Sequence, residues 1–222
     1  MRKIVVFDFD GTVILGDQPY LRCAEIISKQ LSPSDAEAFL SKVNAALTHS
    51  IPFPGEDGWN LLSNLSREYI SGDAFTTAFH ETRREMLVRD DMTYMPDSVK
   101  LLLRRIKPFA VLALASNSPP PYVEPVVRKY SLDSYFSYVN PSAQKPARFH
   151  HMVMQIINQE KLPEDCRVLS VGDHYINDIL PAVESGWDGA FVNPFGLDPR
   201  KSTVSAENIE ALSDWITDWV QK

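Results

Sequence analysis

Apolar residues along this chain fall into two kinds of run, and the two kinds are segregated. Short continuous runs read as buried strands: Ile4-Val5-Val6-Phe7, Phe109-Ala110-Val111-Leu112-Ala113-Leu114-Ala115, Arg167-Val168-Leu169-Ser170-Val171 and Gly189-Ala190-Phe191-Val192. Tyr138-Val139 is a candidate for a further short strand. Between the first two runs, residues 17–92 repeat their apolar positions at helical spacing and carry no strand signal. Leu21, Ala24, Ile27 and Leu31 form one stripe. Ala36, Phe39, Leu40, Val43 and Leu47 form a second, opened by Ser32 as N-cap and Pro33 at the first helical position. Pro52, Pro54 and Gly55 break the chain. Trp59, Leu62, Leu65 and Tyr69 begin a third helix, which Gly72 should end, and Phe75, Phe79, Met86 and Leu87 fit a fourth. The Arg83-Arg84 pair on that fourth helix reads as a solvated face.

After residue 92, helices and strands alternate. Asp97 is placed to cap a helix with Leu101, Leu102 and Ile106 on its apolar side. Residues 119–121 lead into a helix that runs to Tyr130 and that Pro125 should distort. Residues 149–158 and 176–185 are further helices. Gly189-Ala190-Phe191-Val192 is the last clear strand, and Ser205 should cap a final helix striped by Ile209, Leu212, Ile216 and Trp219. Strands alternating with helices imply right-handed crossovers and a parallel sheet. The expectation is an α/β protein with a Rossmann-like core of residues 1–16 plus 93–222 and an all-helical insertion of residues 17–92.

Composition narrows the function more than the fold. The 222 residues are 44% apolar and 23% charged, as in ordinary globular proteins. With 29 acidic against 22 basic residues the net charge is −7, which disfavours nucleic-acid polymers and anionic membranes. A local basic pocket for a small anion is still compatible with that balance. No run approaches the ~20 apolar residues of a membrane span. Arg2-Lys3 leads directly into a strand, unlike a signal peptide, so a cytoplasmic location is expected. Cys23 and Cys166 have no metal or redox spacing and are expected to be buried thiols.

The chemistry gathers at strand ends, where parallel sheets bind ligands. Asp8, Asp10, Ser116 and Asp173 each follow an apolar run. Extended backbone sends residues i and i+2 to one side, so Asp8 and Asp10 can face one site. Two such carboxylates repel each other. A hard divalent cation such as Mg2+ would relieve that cost and keep positions open for a phosphate. One carboxylate could serve as nucleophile and the other as proton donor. Ser116 offers a hydroxyl, Lys145 in Gln144-Lys145-Pro146 a cation, and Asp173 and Asp178 more metal-binding oxygens. These are the parts that phosphoryl transfer needs.

In order and spacing, these residues resemble the haloacid dehalogenase-like (HAD) hydrolase superfamily over nearly the whole chain. Asp8-Phe9-Asp10-Gly11-Thr12, Ser116-Asn117, Lys145 and Gly172-Asp173 through Asp178 are similar to its four motifs. The resemblance implies that residues 17–92 are a C1-type cap domain, hinged over residues 11–16. It implies that Asp8 attacks phosphorus and becomes an aspartyl-phosphate, and that Asp10 is the general acid and base. Ser116 and the Asn117 amide would hold the phosphoryl group, and Lys145 would neutralise it. Mg2+ would be bound by Asp8, by the Asp10 backbone carbonyl, by Asp173, and by Asp178 through water unless Asp178 instead orients Lys145. Two departures stand out: His174 occupies a position that is often small and polar, and Lys145-Pro146 runs into Ala147-Arg148-Phe149. The implied activity is a Mg2+-dependent phosphatase, monomer or homodimer, acting on a small phosphorylated metabolite. A sugar-phosphate mutase would use the same parts, and a non-catalytic phosphate-binding or regulatory protein is the alternative of a different class. A dehalogenase would need neither the metal nor the second acid.

Overall fold

The first apolar run forms strand β1 (Lys3–Phe7), every residue of which is buried. In this computed structural model, which describes residues 3–197 and 200–222, the chain divides into two compact units. One comprises Met1–Leu15 and Met95–Lys222, the other Gly16–Tyr94. Arg2 lies outside the described residues.

The unit Gly16–Tyr94 is helical: α1 (Gln18–Ser28), α2 (Pro33–Leu47), α3 (Gly58–Ser66) and α4 (Gly72–Met86). Its apolar stripes close on one core containing Tyr20, Cys23, Ala24, Ile27, Phe39, Val43 and Leu62. Ser32, Asp57 and Ser71 cap α2, α3 and α4 by accepting amide protons of the first turns. Gly72 therefore opens α4 rather than ending the preceding helix, because the Ser71 hydroxyl takes the Ala74 amide. Arg22 joins α1 to α4 through two bonds to Glu85, Nε to Oε2 at 2.8 Å and Nη2 to Oε1 at 2.7 Å. Arg83 corrects the sequence reading. Arg84 is exposed, but Arg83 is only 2% exposed, its guanidinium 4.8 Å from the Trp59 ring centroid and 5.3 Å from that of Phe79. Position 83 lies four residues after Phe79 and so shares its inward face.

The other unit continues from β1 with α5 (Asp97–Ile106), β2 (Ala110–Ala115), α6 (Pro120–Lys129), β3 (Tyr138–Asn140) and α7 (Phe149–Gln159). It ends with β4 (Val168–Gly172), α8 (Leu180–Glu184), β5 (Asp188–Val192), β6 (Val204–Ala206) and α9 (Ile209–Gln221). Among the described residues the sheet has six strands, all parallel, in the order β3-β2-β1-β4-β5-β6. Val5, Phe7, Leu112 and Leu114 face a core shared with α5, α6 and α9. Ile4, Val6, Val111 and Ala113 face a second core under α7. Burial on both faces is why these strands read as unbroken apolar runs.

Four local readings change. β6 follows the expected last strand, and Ser205 lies inside it, so α9 is capped by Asn208, whose Oδ1 accepts the Ala211 amide at 2.9 Å. Three residues at a sheet edge carry too little apolar pattern to be seen. Asp97 is the first residue of α5 rather than its cap, which is Pro96. Leu101 points out at 58% exposure, and Val99, Leu102, Leu103 and Ile106 point in. The helix expected over 176–185 starts as a wide π turn, Tyr175–Ile179, before α8. Cys23 and Cys166 are buried free thiols. Among the described residues no helix is long and apolar enough to cross a membrane.

Candidate active site

Three neighbouring strands end at one level. β1 pairs with β2 on one side and β4 on the other, Phe7 lying opposite both Leu114 and Val171. Asp8 follows β1, Ser116 follows β2 and Asp173 follows β4. The chain order also reverses at β1, with β2 and β3 to one side and β4, β5 and β6 to the other. Open α/β sheets bind ligands beyond strand ends at such a switch point.

Carboxylate oxygens of Asp8, Asp173 and Asp178 lie within 4.8 Å of one another. Two glycines make room for them. Gly11 has φ +84°, and a Cβ there would overlap the Asp173 carboxylate. A Cβ on Gly172 would overlap Asp178. Thr12, fully buried, donates from Oγ1 to Asp173 Oδ1 at 2.9 Å. The His174 amide donates to Asp178 Oδ2 at 3.1 Å, and the His174 ring caps the π turn, its Nδ1 accepting the Asn177 amide at 3.3 Å.

Lys145 ties the cluster together. Its Nζ donates to Asp8 Oδ1 and to Asp178 Oδ1, both at 2.6 Å, and its side chain is 3% exposed. The Asn117 side chain holds the lysine's own backbone, donating to Lys145 O at 2.9 Å and accepting from Lys145 N at 2.7 Å. The two loops are joined on either side of that clamp, since Ala143 N donates to Ser116 O and Ser142 N to Ser118 O.

Burial pushes the Asp8 carboxyl up to about 6, against the pull of Lys145, and the Asp178 carboxylate adds to the rise. Burial also opposes the Lys145 charge, but Asp178 and Asp8 outweigh it and hold the ammonium above the ordinary lysine range. Two of the three clustered carboxylates, Asp8 and Asp178, thus share one ammonium. An all-oxygen donor set with negative charge left over fits a hard divalent cation such as Mg2+. Thr12, Lys145 and the His174 amide orient the carboxylates from behind, as supports of a metal site do.

Asp10 is not one of the three clustered acids. Its Oδ2 accepts from Ser118 Oγ at 3.1 Å, and the Ser118 amide donates to Ser116 Oγ at 3.0 Å.

The model of a protein family, haloacid dehalogenase-like hydrolase, matches residues 2–186. The chain belongs to the haloacid dehalogenase-like hydrolases. No curated protein matches this hydrolase significantly. Solved structures match its fold along nearly the full length. The proposed HAD-hydrolase YfnB of Bacillus subtilis, bound to magnesium, shares 19% identity at TM-score 0.63, over 97% of this chain and 99% of that one. A predicted phosphoglycolate phosphatase from Haemophilus somnus also shares 19% at 0.63, over 97% and 98%. A 2-haloacid dehalogenase from Pseudomonas syringae shares 18% at 0.57, over 99% and 100%.

The residues singled out from the hydrolase sequence fall into three groups. Asp8, Lys145, Asp173 and Asp178 meet directly. Asp10 and Ser116 are connected through Ser118. Asn117, expected near a phosphoryl group through its amide, uses its side chain to fasten Lys145. Thr12 and Ser118 had no assigned part, although each stands within two residues of one that did. A hydroxyl's partner depends on the fold, and nothing in local sequence names it.

Proposed function

We propose that this hydrolase is a Mg2+-dependent phosphatase of small-molecule phosphomonoesters. The observation that carries the reading is the pairing of a lysine-bound acid, Asp8, with a second acid, Asp10, held separately by Ser118. A halide leaves as an anion and needs no proton, whereas an alkoxide does, so a held second acid favours phosphate esters over haloacids. The set of structural neighbours named both as phosphatases and as a dehalogenase makes that distinction the one to test.

In this reading an Asp8 oxygen attacks phosphorus. The new Asp8 O–P bond forms as the P–O bond to the alcohol breaks, and Asp10 delivers its proton to the departing alkoxide. Asp10 then takes a proton from water, the water oxygen bonds to phosphorus, and the Asp8 O–P bond breaks to release phosphate. Lys145 holds Asp8 in place and offsets the charge of the phosphoryl oxygens, and Ser116 donates its hydroxyl to one of them. Mg2+ held by Asp8, Asp173, Asp178 and the Asp10 carbonyl would neutralise charge on the phosphate. In the same reading the helical unit is the cap domain, and protection of its connections from proteolysis by BeF3− is the sign expected of it.

The test is phosphate release from a panel of phosphorylated metabolites and aryl phosphates, with Mg2+ and with EDTA. Release that requires Mg2+ and is independent of any bisphosphate supports the phosphatase. Full phosphate release in metal-free buffer would overturn the Mg2+ dependence, and halide release from a 2-haloacid with no phosphate from the panel would replace the phosphatase with a dehalogenase.

A further inference from the structure

We infer that Ser118 is a positioning residue that aligns Asp10 and Ser116 together, through two different atoms. This rests on the phosphatase reading. Ser118 is 9% exposed, and its location is set by the backbone: its carbonyl accepts the Ser142 amide at 2.9 Å. Two residues earlier, Ser116 is fixed at both backbone groups, its amide donating to Asn140 O at 3.0 Å and its carbonyl accepting from Ala143 N at 2.8 Å. Between them the Asn117 side chain grips the Lys145 backbone. The segment is therefore fastened at each residue, and a side chain on it inherits that rigidity.

From this anchored position Ser118 acts in two directions. Its amide donates to Ser116 Oγ at 3.0 Å, which occupies an acceptor lone pair of that oxygen. The Ser116 hydroxyl proton must then point elsewhere, as a phosphate-binding donor requires. Its own hydroxyl donates to Asp10 Oδ2 at 3.1 Å, making that oxygen the acceptor. That contact restrains the rotation of the Asp10 carboxyl and so fixes the direction in which its other oxygen is presented. General acids work only when the proton lies within hydrogen-bond reach of the departing atom, so orientation is part of their effect. The amide contact survives any side-chain change at 118, whereas the hydroxyl contact does not. Substitution therefore isolates the effect on Asp10.

Ser118→Ala should lower kcat by about 10-fold or more for an alkyl phosphate, whose leaving group needs the proton. An aryl phosphate with a good leaving group should lose much less, and KM should stay near wild type for both. Ser118→Thr keeps the hydroxyl and should restore alkyl-phosphate turnover. The deciding measurement is the cycle with Asp10→Asn: in that background Ser118→Ala should cost little more, because the group it aligns is already gone. Equal losses for both leaving groups, or additive losses in the cycle, would overturn the inference. If the wild type itself releases no phosphate, the phosphatase reading fails first. If wild-type turnover is intact but the cycle is additive, only the role of Ser118 fails. Circular dichroism of each variant checks that the fold is kept.

Discussion

Lys3 and Lys145 are both buried beside β1, one at each end of the strand, and burial acts on them with opposite results. Lys3 Nζ donates to the carbonyls of Trp219 and Val220 at 2.7 and 3.0 Å, at the end of α9. The two carbonyls and the Trp219 ring, 5.3 Å away at its centroid, face its charge, and burial, with Arg167 nearby, pulls its pKa below the ordinary lysine value. Lys145 meets two ionised carboxylates, and they hold it above that value. The difference shows what each end of the sheet is for. A helix terminus offers unpaired carbonyls that a cation can satisfy at modest gain. A cluster of repelling carboxylates needs a full counter-charge, and Lys145 supplies it at the carboxyl end of this sheet.

Activity breaks the comparison most sharply. In the proposed phosphatase, Lys145→Met would remove the cation that offsets developing phosphoryl charge and should lower kcat on the order of 10²–10³-fold. Lys3→Met should leave kcat and KM as they are. Steady-state phosphate release decides it, and equal losses from both changes would erase the distinction between the two ends.

Stability is the next measure. In metal-free protein near pH 7, Lys145→Met leaves Asp8 and Asp178 facing each other without their shared cation. Urea unfolding should show a loss of about 3–5 kcal/mol, the range for breaking a buried ion pair. Adding Asp178→Asn should return part of it, since one of the stranded charges is then gone. No recovery in the double variant would mean that the pair repulsion is not the cause.

A third test uses the proton. The Asp8 carboxyl, raised from 3.8 to about 6, holds its proton more tightly in the folded chain than in the unfolded one. In metal-free protein its contribution to stability is therefore fullest below 3.8 and is lost as pH rises through about 6. If Asp8 is a ligand, as proposed, Mg2+ competes with the proton for this carboxylate, and its affinity should weaken by up to about tenfold per pH unit below that pKa. Calorimetric titration with Mg2+ at pH 5 and pH 7 reads this directly, and equal affinities would remove Asp8 from the ligand set.

The smallest expected effect belongs to the other lysine. Lys3→Met should cost about 1.5–3 kcal/mol, the net worth of a hydrogen bond made by a charged group. Because Lys3 lies at the opposite end of β1 from the proposed metal site, the loss should be the same with and without Mg2+. A loss that Mg2+ cancels would place Lys3 in the same electrostatic system as Lys145.

Much of this was legible in the sequence. β1, β2, β4 and β5 are buried on both faces, so their apolar runs are continuous and cannot be mistaken for amphipathic helix. Asp8, Ser116 and Asp173 were found because each interrupts such a run at its end. β6 was not legible, being three half-buried or exposed residues that pair at an edge. Nor was the burial of Arg83, since an arginine on a charged helix looks solvated until Trp59 and Phe79 are folded against it.

What the sequence determined by itself is the alternation that makes a parallel sheet, the long helical insertion, and the identity of Asp8, Asp10, Ser116 and Asp173 at the strand ends. These follow from periodicity and from polar residues placed where an apolar run stops, and both are local properties of the chain. The tertiary structure alone decided that Lys145 bridges Asp8 and Asp178, that Thr12 holds Asp173, and that Ser118 holds Asp10. Each of these pairs lies between 33 and 161 residues apart in sequence. A hydrogen bond forms between groups that meet within about 3 Å. Which groups meet at that range depends on how β2, β1 and β4 are set side by side, and no window of sequence contains all three.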